Sequence, residues 1–498
     1  MGSAEVNRRR NNLSLWYGHQ AQSKVPGDKQ AEEDVLRHVR CLGAAGTLAL
    51  ASASLFAVGA PTVAAAVTAQ PASLVSRLAS PAQPPTQAQC VTMFTVPCYR
   101  PPQLQAAYNE LPLFKRGITG KGETIVIVDS FGSPTIRKDL ATFDAQFRLP
   151  NPPSFKIIQP AGKVPPFNPR TMSNWAGETT LDVEWSHSMA PGASILLVET
   201  PVAETEGVAG FPQIVKAENF VINHHLGQVI SQSFGATEQT FRSAQSLLSL
   251  RSAYKNAFRH HVTVLASSGD SGATGPSNVA GTLLFTHRAV GWPASDPLVT
   301  GVGGTQLRLT PSGRRTAPDR VWNDSFNRKL NQLFFGNNGP NAFGTGGGQS
   351  VIFSRPGYQA RDGIAGNRRG VPDIALSGAC SGLVVTFQSF PGTPPGWYVV
   401  CGTSESSPLF AGIVALADQV AHRSLGLINP ALYRLLAEHA PGLVDVTKGN
   451  NTVAFTQNRH LFTVQGFSAG PGYDLASGVG TINAALFVPE LVRAVGRG

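Results

Sequence analysis

The chain is short of charged residues, of cysteine and of any fixed repeat, and each shortage excludes a class of protein. Only 14% of its 498 residues are charged, and no run of like charge is longer than Arg8-Arg9-Arg10. Neither zinc-finger cysteine spacing nor an aromatic RNA-binding motif occurs, so we expect no nucleic-acid partner. With 42% hydrophobic residues, 52 glycines and 37 prolines, the composition is that of a globular protein rich in turns. The net charge of +10 is diffuse and favours solubility or acidic surfaces.

Charge is missing altogether between Cys41 and Ser76. Residues 42–60 are mainly Ala, Leu, Gly, Ser and Val, and small residues follow Pro61. This pattern predicts a charged N-terminal region over residues 1–41 and a secretory signal over residues 42–69. The alternative is a single anchor, because about 19 apolar residues can just span a bilayer. We therefore expect a secreted, monomeric protein, which contacts a membrane only if residues 42–69 are retained.

Cysteine is scarce but informative. Of the five cysteines, Cys41 precedes the predicted signal, which leaves Cys90, Cys98, Cys380 and Cys401. An even number in an exported chain suggests two disulfides, for which three pairings are possible. We expect nearest neighbours to pair, and the alternative is four buried thiols.

Hydrophobic runs after residue 101 alternate between strand and helix patterns. Residues 70–100 are rich in Pro, Ala, Gln and Ser and read as a linker or leader. Buried strands are predicted from unbroken apolar runs at residues 124–128, 193–198, 228–233, 262–266 and 298–302. Helices are predicted between several of these runs and at residues 408–420 and 429–439. The pattern predicts one α/β domain over residues 101–490, with a mostly parallel central sheet flanked by helices.

Ser404 lies in the segment Cys401-Gly-Thr-Ser-Glu-Ser-Ser-Pro408, directly after a predicted strand. Gly402 allows a tight turn, and Pro408 is suited to the start of a helix. A helix N-terminus favours the negative charge that develops during acyl transfer. Ser404 is therefore a candidate nucleophile, and the alternative is an ordinary helix-capping residue.

Two carboxylates share one face of a predicted helix. Glu178 and Asp182 are four residues apart, and Leu181, Trp185 and Met189 recur at the same interval, which predicts an amphipathic helix. Like charges at this spacing repel by a few tenths of a kcal/mol. A close pair can hold one proton between them, which suits acid–base chemistry. The alternative is a solvated acidic face.

Asp270 follows a third predicted strand, in the segment Ala266-Ser-Ser-Gly-Asp-Ser-Gly272. The carboxyl ends of parallel strands are where α/β proteins build their active sites. Asp270 is therefore a further candidate for chemistry, and the alternative is a turn-forming aspartate between glycines.

Together these motifs resemble the sedolisin family of serine-carboxyl peptidases, which have a subtilisin-like fold. Glu178 and Asp182 match the family's Glu-x-x-x-Asp helix, Asp270 matches its Ser-Gly-Asp-Ser-Gly turn, and Ser404 matches its Gly-Thr-Ser-x-Ser-x-Pro motif. The resemblance covers residues 101–485. Family members usually carry a long folded segment before this domain, whereas residues 70–100 are too few for a folded domain.

The resemblance implies a role for each residue. Ser404 would be the nucleophile, Glu178 its general base, Asp182 the partner that hydrogen-bonds Glu178, and Asp270 the donor to the oxyanion. Only a protonated carboxyl can donate a hydrogen bond, so this mechanism implies activity at acid pH. The substrate would be a protein or peptide that docks as an added strand along residues 233–235.

The family resemblance also implies one structural calcium ion near the C-terminus. Its ligands would be the carboxylates of Asp445 and Asp474 and the backbone oxygens of Val446, Gly470 and Gly472. Hard oxygen donors on glycine-rich loops suit calcium.

Two other functions are open to such a sequence. One is a conventional subtilisin triad that uses Asp129 and a histidine, although no His-Gly-Thr motif follows Asp129. The other is a catalytically silent binding protein with the same fold.

Overall fold

An eight-stranded sheet forms the centre of the computed structural model, which describes residues 75–360 and 366–497. Numbered along the chain, the strands of the protein are β1 Val75–Ser80, β2 Cys98–Tyr99, β3 Thr124–Ser130, β4 Phe155–Ile158, β5 Ser194–Thr200, β6 Val229–Gln232, β7 Ala236–Thr237, β8 Thr263–Ser267, β9 Gly291–Trp292, β10 Thr300–Gln306, β11 Arg320–Val321, β12 Gly348–Ser354, β13 Arg368–Val371, β14 Ile374–Ser377, β15 Leu383–Gln388, β16 Gly396–Cys401, β17 Leu443–Val444, β18 Val453–Gln457, β19 His460–Val464 and β20 Thr481–Ile482.

The order of strands in the central sheet is β11-β10-β8-β6-β3-β5-β4, with β14 also paired to β10. Every pair of strands in this sheet is parallel except that of β10 with β11.

Helices cover both faces of this sheet, which gives three layers. They are α1 Gln87–Phe94, α2 Pro101–Ala107, α3 Leu111–Phe114, α4 Ile136–Phe147, α5 Pro169–Met189, α6 Phe211–Asn223, α7 Ala244–Leu248, α8 Ser252–Arg259, α9 Arg328–Phe335, α10 Thr403–Ala421, α11 Asn429–Ala437 and α12 Ala484–Val495. The five predicted strands correspond to β3, β5, β6, β8 and β10, so the predicted α/β architecture is confirmed.

Strand β3 explains why its sequence is an unbroken apolar run. Ile125 and Ile127 belong to the core on the side of α5 and α10, whereas Val126 and Val128 belong to the core on the side of α6 and α8. A strand buried on both faces needs apolar side chains at every position. The carboxyl end of β3, at Asp129 and Ser130, is therefore buried in the middle of the protein.

Helices α5 and α10 lie against each other at the centre of one layer. A Cβ atom at Gly412 of α10 would lie 2.5 Å from the Met189 Cβ atom, so glycine permits this close approach. The amphipathic interpretation of α5 is wrong, because every residue from Trp175 to Met189 is buried. Neighbours enclose this part of the helix on all sides, and its carboxylates do not face solvent. Helix α10 also begins earlier than predicted, at Thr403, with Pro408 inside its N-terminal part.

Most of the segment predicted as a linker or leader is part of the fold. Strand β1 pairs antiparallel with β16, with Ser76 opposite Val400, in a second sheet of order β1-β16-β15-β2. The side chain of Arg100 donates to the carbonyl groups of Pro84 and Pro85. The disulfide prediction is confirmed, because Cys90 bonds to Cys98 and Cys380 to Cys401.

The predicted N-terminal regions, residues 1–41 and 42–69, lie outside the described residues. In the part of the chain that the structure describes, no helix has both the length and the apolar character needed to cross a bilayer.

Buried carboxyl groups are frequent in this fold, and they predict a protein that is more stable in acid. Burial raises the pKa of five such groups outside the candidate site well above the ordinary value; they are Glu110, Glu184, Glu218, Glu405 and Asp418. A raised pKa means that the folded state holds protons that the unfolded state has released. Stability therefore falls as pH rises from the unfolded value of about 4. We expect the melting temperature to be at least about 3 °C higher at pH 4.5 than at pH 8.

Two variants test this pH dependence. Glu110 is fully buried, and neither of its carboxyl oxygens has a hydrogen-bond partner in the described part of the chain, so Glu110→Gln should reduce the loss of stability at pH 8. Glu438 is 46% exposed and serves as the control, since Glu438→Gln should leave the loss unchanged. A melting temperature that rises towards pH 8 would contradict the prediction.

Candidate active site

Ser404 lies in the first turn of α10, directly after the end of β16, and is 2% exposed. Gly402 caps the helix with a φ of 136°, a backbone conformation that residues with a Cβ atom rarely adopt. A Cβ atom at this position would lie 2.6 Å from Oδ2 of Asp270. Glycine is thus required both for the turn and for the approach of the Asp270 carboxyl to the Ser404 segment.

Asp270 lies beyond the carboxyl end of β8, and its side chain contacts the start of α10. Its Oδ1 accepts hydrogen bonds from the backbone N–H of Thr403 at 2.7 Å and from the Thr403 hydroxyl at 2.8 Å. Burial raises the pKa of Asp270 to about 7, and the two bonds from Thr403 only partly offset this rise. Below that pH the carboxyl is mainly neutral and can donate a hydrogen bond.

Glu178 and Asp182 lie one turn apart on the enclosed part of α5, and both are fully buried. Burial raises the pKa of Glu178 well above its ordinary value, while the hydroxyl of Ser404 lowers it. The two groups are therefore neighbours, although neither oxygen of Glu178 has a hydrogen-bond partner of normal geometry among the described residues. The alternative of a solvated acidic face is excluded by this burial.

Asp182 receives its hydrogen bond from Ser233, at 2.8 Å from Ser233 Oγ to Asp182 Oδ1. Its other oxygen, Oδ2, has no hydrogen-bond partner among the described residues. Burial, and then the charges of Asp129 and Glu178, raise the pKa of Asp182 well above its ordinary value. Two buried carboxyls whose charges repel favour a state that holds one proton between them.

Ser233 also lies close to the backbone of the nucleophile segment. Its Oγ is 3.3 Å from the carbonyl oxygen of Ser404. In a regular helix this carbonyl would accept from the N–H four residues later, but that residue is Pro408, which has no N–H. The proline inside α10 therefore leaves an acceptor free, and Ser233 links that acceptor to Asp182.

Asp129, which the sequence offered only as the aspartate of a conventional triad, is a buried carboxyl in the same cluster. Asp129 is the last residue but one of β3, and its charge raises the pKa of both Glu178 and Asp182. Its own pKa is raised to about 7, first by burial, with the nearby Thr179 hydroxyl lowering it and the charge of Glu199 raising it; neither oxygen of Asp129 has a hydrogen-bond partner of normal geometry among the described residues. The available signal was an acidic residue at the carboxyl end of a fully buried parallel strand.

Among the histidines that the structure describes, none shifts the pKa of a carboxyl in this cluster. The neighbours that shift the pKa of Glu178 are Ser404, Asp129 and Asp270, with no histidine among them. His187 is buried, and its Nε2 lies 2.8 Å from the Pro150 carbonyl and 3.4 Å from Asp144. These contacts give no support to an Asp/His/Ser triad around Asp129.

A cleft of about 290 Å³ opens beside Asp270. One wall is the chain around Phe234 and Gly235, which follows β6, and the other is residues 267–271. Residues 204–206, 237, 274–276, 279–282 and 291 complete the lining. The cleft has room for a side chain, and one of its lining residues, Asp270, contacts the Ser404 segment.

The candidate calcium residues converge on one loop. Asp445 Oδ2 accepts from the N–H of Gly472 at 2.9 Å, and Asp474 Oδ2 accepts from the N–H of Gly470 at 3.2 Å. Ser477 Oγ lies 3.4 Å from the carbonyl oxygen of Val446. Within the described ranges, no group of three or more His, Cys, Asp or Glu side chains could hold a metal ion, so any site here would also need backbone oxygens.

Comparisons with known proteins show the family of the chain. The model of the subtilase family (Peptidase_S8) matches residues 172–464. Kumamolisin from Bacillus sp. (strain MN-32) is 31% identical over 77% of the chain and 62% of its own length. Sedolisin from Pseudomonas sp. (strain 101) is 29% identical over 56% of the chain and 43% of its own length. Human tripeptidyl-peptidase 1 is 29% identical over 63% of the chain and 52% of its own length.

A solved structure has the same fold. It is that of Pseudomonas sedolisin, a serine-carboxyl proteinase complexed with two molecules of pseudo-iodotyrostatin, with a TM-score of 0.63 and 24% identity over 79% of this chain and 98% of that one. The fold is thus subtilisin-like, as the motifs implied. The matched region spans 43–62% of the length of the three relatives named above. The chain therefore belongs to the subtilase family, in the sedolisin branch that its motifs resemble.

Proposed function

We propose that this protein is a serine-carboxyl endopeptidase that hydrolyses peptide bonds of unfolded proteins in acid. The observation that carries the proposal is the position of the Ser404 segment between two buried carboxyls: the Ser404 hydroxyl lowers the pKa of Glu178, and Thr403, the preceding residue, donates a hydrogen bond to Asp270. Burial raises the pKa of both Glu178 and Asp182, but a pair that holds one proton between its two carboxyls keeps one of them ionised, and that one can accept the serine proton in acid.

Proton transfer begins at the nucleophile. Ser404 Oγ attacks the carbonyl carbon of the scissile bond while its proton passes to Glu178, whose charge is coupled to that of Asp182. Asp182 is oriented by Ser233, which leaves its second oxygen free to share a proton with Glu178. Glu178 then returns the proton to the leaving amine, and the same steps with water release the acyl group from Ser404.

The developing oxyanion needs a donor. A neutral Asp270 supplies an O–H, and its other oxygen is already held by Thr403 at the start of α10. The N-terminus of α10 adds favourable partial charge at the same place. Residues 233–235 form the wall along which an extended substrate would pair.

The proposal is tested by incubating a denatured protein with the purified enzyme from pH 3 to pH 8 and identifying the fragments by mass spectrometry. We expect internal cleavage that is fastest in acid. Release of tripeptides alone from the substrate N-terminus would contradict an endopeptidase, and the absence of cleavage at every pH would favour a binding protein.

We also propose one structural calcium ion at the loop that Asp445 and Asp474 contact. Two carboxylates and the backbone oxygens of Val446, Gly470 and Gly472 form the kind of donor set that calcium prefers. The ion would stiffen the C-terminal loops and take no part in the proton transfers.

Chelation tests this site. An ion that binds only the folded state at about 100 times its Kd stabilises by about 2.7 kcal/mol. We therefore expect EDTA to lower the melting temperature, and the Asp445→Asn variant to melt early with or without EDTA. An unchanged melting temperature, together with no calcium by elemental analysis, would show that the site does not exist.

We propose that the protein is secreted, because the uncharged segment 42–69 has the pattern of a secretory signal. The two disulfides support this, since disulfides form in oxidising compartments. N-terminal sequencing of the extracellular protein should find a start near residues 67–70. Recovery of intact Met1 in a membrane fraction would support the anchor instead.

A further inference from the structure

The cleft beside Asp270 has an acidic lining in a protein whose net charge is +10. Every charged side chain that lines it is a carboxyl: Asp270, and also Glu204 and Glu206 on the loop after β5. Asp270 is already assigned to the oxyanion. Glu204 and Glu206 have no role in the proposed proton transfers.

Glu206 is held in place by two hydrogen bonds from the chain that follows Gly235. Its Oε2 accepts from the backbone N–H of Thr237 at 2.7 Å and from the Thr240 hydroxyl at 3.1 Å. Burial raises its pKa to about 7. Glu206 is therefore a rigid carboxyl within the lining rather than a mobile surface group.

Glu204 lacks such a partner. It is 3% exposed, and its Oε1 is buried with no hydrogen-bond partner among the described residues. Its backbone is held, because its N–H donates to Ser130 Oγ at 3.1 Å. A buried acceptor without a donor is unfavourable, so a ligand that brings donors to Glu204 would be bound preferentially.

No lysine or arginine of the described ranges forms an ion pair with Glu204 or Glu206. Burial, and then the nearby Glu206, raise the pKa of Glu204 well above its ordinary value. A cation entering between these two carboxyls would relieve their repulsion and favour their ionised forms.

We propose that this cleft selects a lysine or arginine side chain of the substrate, on the acyl side of the scissile bond. Because Asp270 lines the cleft, a substrate carbonyl held by Asp270 would place a neighbouring side chain within reach of it. The aliphatic stem of that side chain would pass Phe234 and Val279, and its charged end would donate to Glu204 and Glu206. This inference rests on the proposed peptidase function and names its substrate class.

Kinetics on matched peptides test the selection. One peptide carries a single lysine, moved in turn through the four positions on the acyl side, and the reference peptide carries norleucine there. Wild-type enzyme should cleave the best lysine peptide with at least about tenfold higher kcat/KM than its norleucine counterpart. In the Glu204→Gln/Glu206→Gln double variant this ratio should fall close to one. Glu123→Gln, the same change at a buried glutamate outside the cleft, should leave the ratio intact.

Binding separates this inference from the proposed function. In a Ser404→Ala background, fluorescence anisotropy of the same peptides should show tighter binding of the lysine peptide, lost when Glu204 and Glu206 are also replaced by glutamine. If no peptide is cleaved but this binding difference is found, the peptidase proposal fails and the acidic cleft stands. The inference is overturned if lysine is not preferred at any position, or if the preference survives in the double variant.

Discussion

Ser404→Ala is expected to lower kcat/KM by about 10⁴- to 10⁶-fold while the protein stays folded. The Ser404 hydroxyl is the group that lowers the pKa of Glu178, and its loss removes the bond-forming atom. Glu178→Ala should have an effect of similar size, because Ser404 then has no acceptor for its proton. The measurement is kcat/KM on a quenched peptide, with circular dichroism to check folding.

The double variant sharpens this prediction. Residues that act as one unit are not additive, so Ser404→Ala/Glu178→Ala should be no slower than either single variant. The matched control is Ser406→Ala, two residues further along α10, whose hydroxyl donates to the Ser377 carbonyl at 2.7 Å. It should lose stability by about 1 kcal/mol and keep its activity. Full activity of Ser404→Ala would disprove the assignment of the nucleophile.

The second large effect is on the pH profile. Activity should decline as pH rises through about 7, because the pKa of Asp270 is raised to about 7 by burial and an ionised Asp270 cannot donate to the oxyanion. Asp270→Ala should reduce kcat by about 10²- to 10³-fold at the optimum. Asp270→Asn keeps an N–H donor at every pH, so its activity should be less reduced and its alkaline decline should flatten. The measurement is kcat against pH for the three proteins.

The decline of activity at low pH should reflect the protonation of Glu178 and Asp182 together, since coupled groups titrate as a set. The matched control for Asp270 is Asp324→Asn, at a carboxyl that is also buried but accepts from Trp322 and Ser381. It should change stability and leave the shape of the pH profile as in wild type. An alkaline decline that persists unchanged in Asp270→Asn would contradict the role of Asp270, and a maximum near pH 8 would favour a histidine base.

Much of the fold could be predicted from local sequence. An unbroken apolar run such as that of β3 predicts a strand buried on both faces, and the glycine before Ser404 predicts a sharp turn. Cys90 and Cys98 are only eight residues apart in sequence, and they form the disulfide that pairing of nearest neighbours predicts. Residues 75–100 were harder to predict, because β1 and β2 are stabilised by pairing with β16 and β15, which lie about 300 residues later.

The sequence by itself determined the residue types and their short spacings, which were enough to identify the family. A spacing of four residues puts Glu178 and Asp182 on the same face of α5, since a helix repeats every 3.6 residues. Local spacing cannot say whether that face meets water or protein. Only the packing of α10 and β3 around α5 buried both carboxyls, brought Asp129 beside them and raised their pKa values.

Tertiary structure also decided which distant residues meet. Asp270 and Thr403 are 133 residues apart, and Ser233 and Asp182 are 51 apart. Glu204 and Glu206 stood out in no sequence motif, because two glutamates in a loop are commonly solvated. Glu204 and Glu206 line the cleft because the loop after β5 packs against the chain that follows β6. Their position therefore depends on how distant segments pack, and the local sequence pattern does not reveal it.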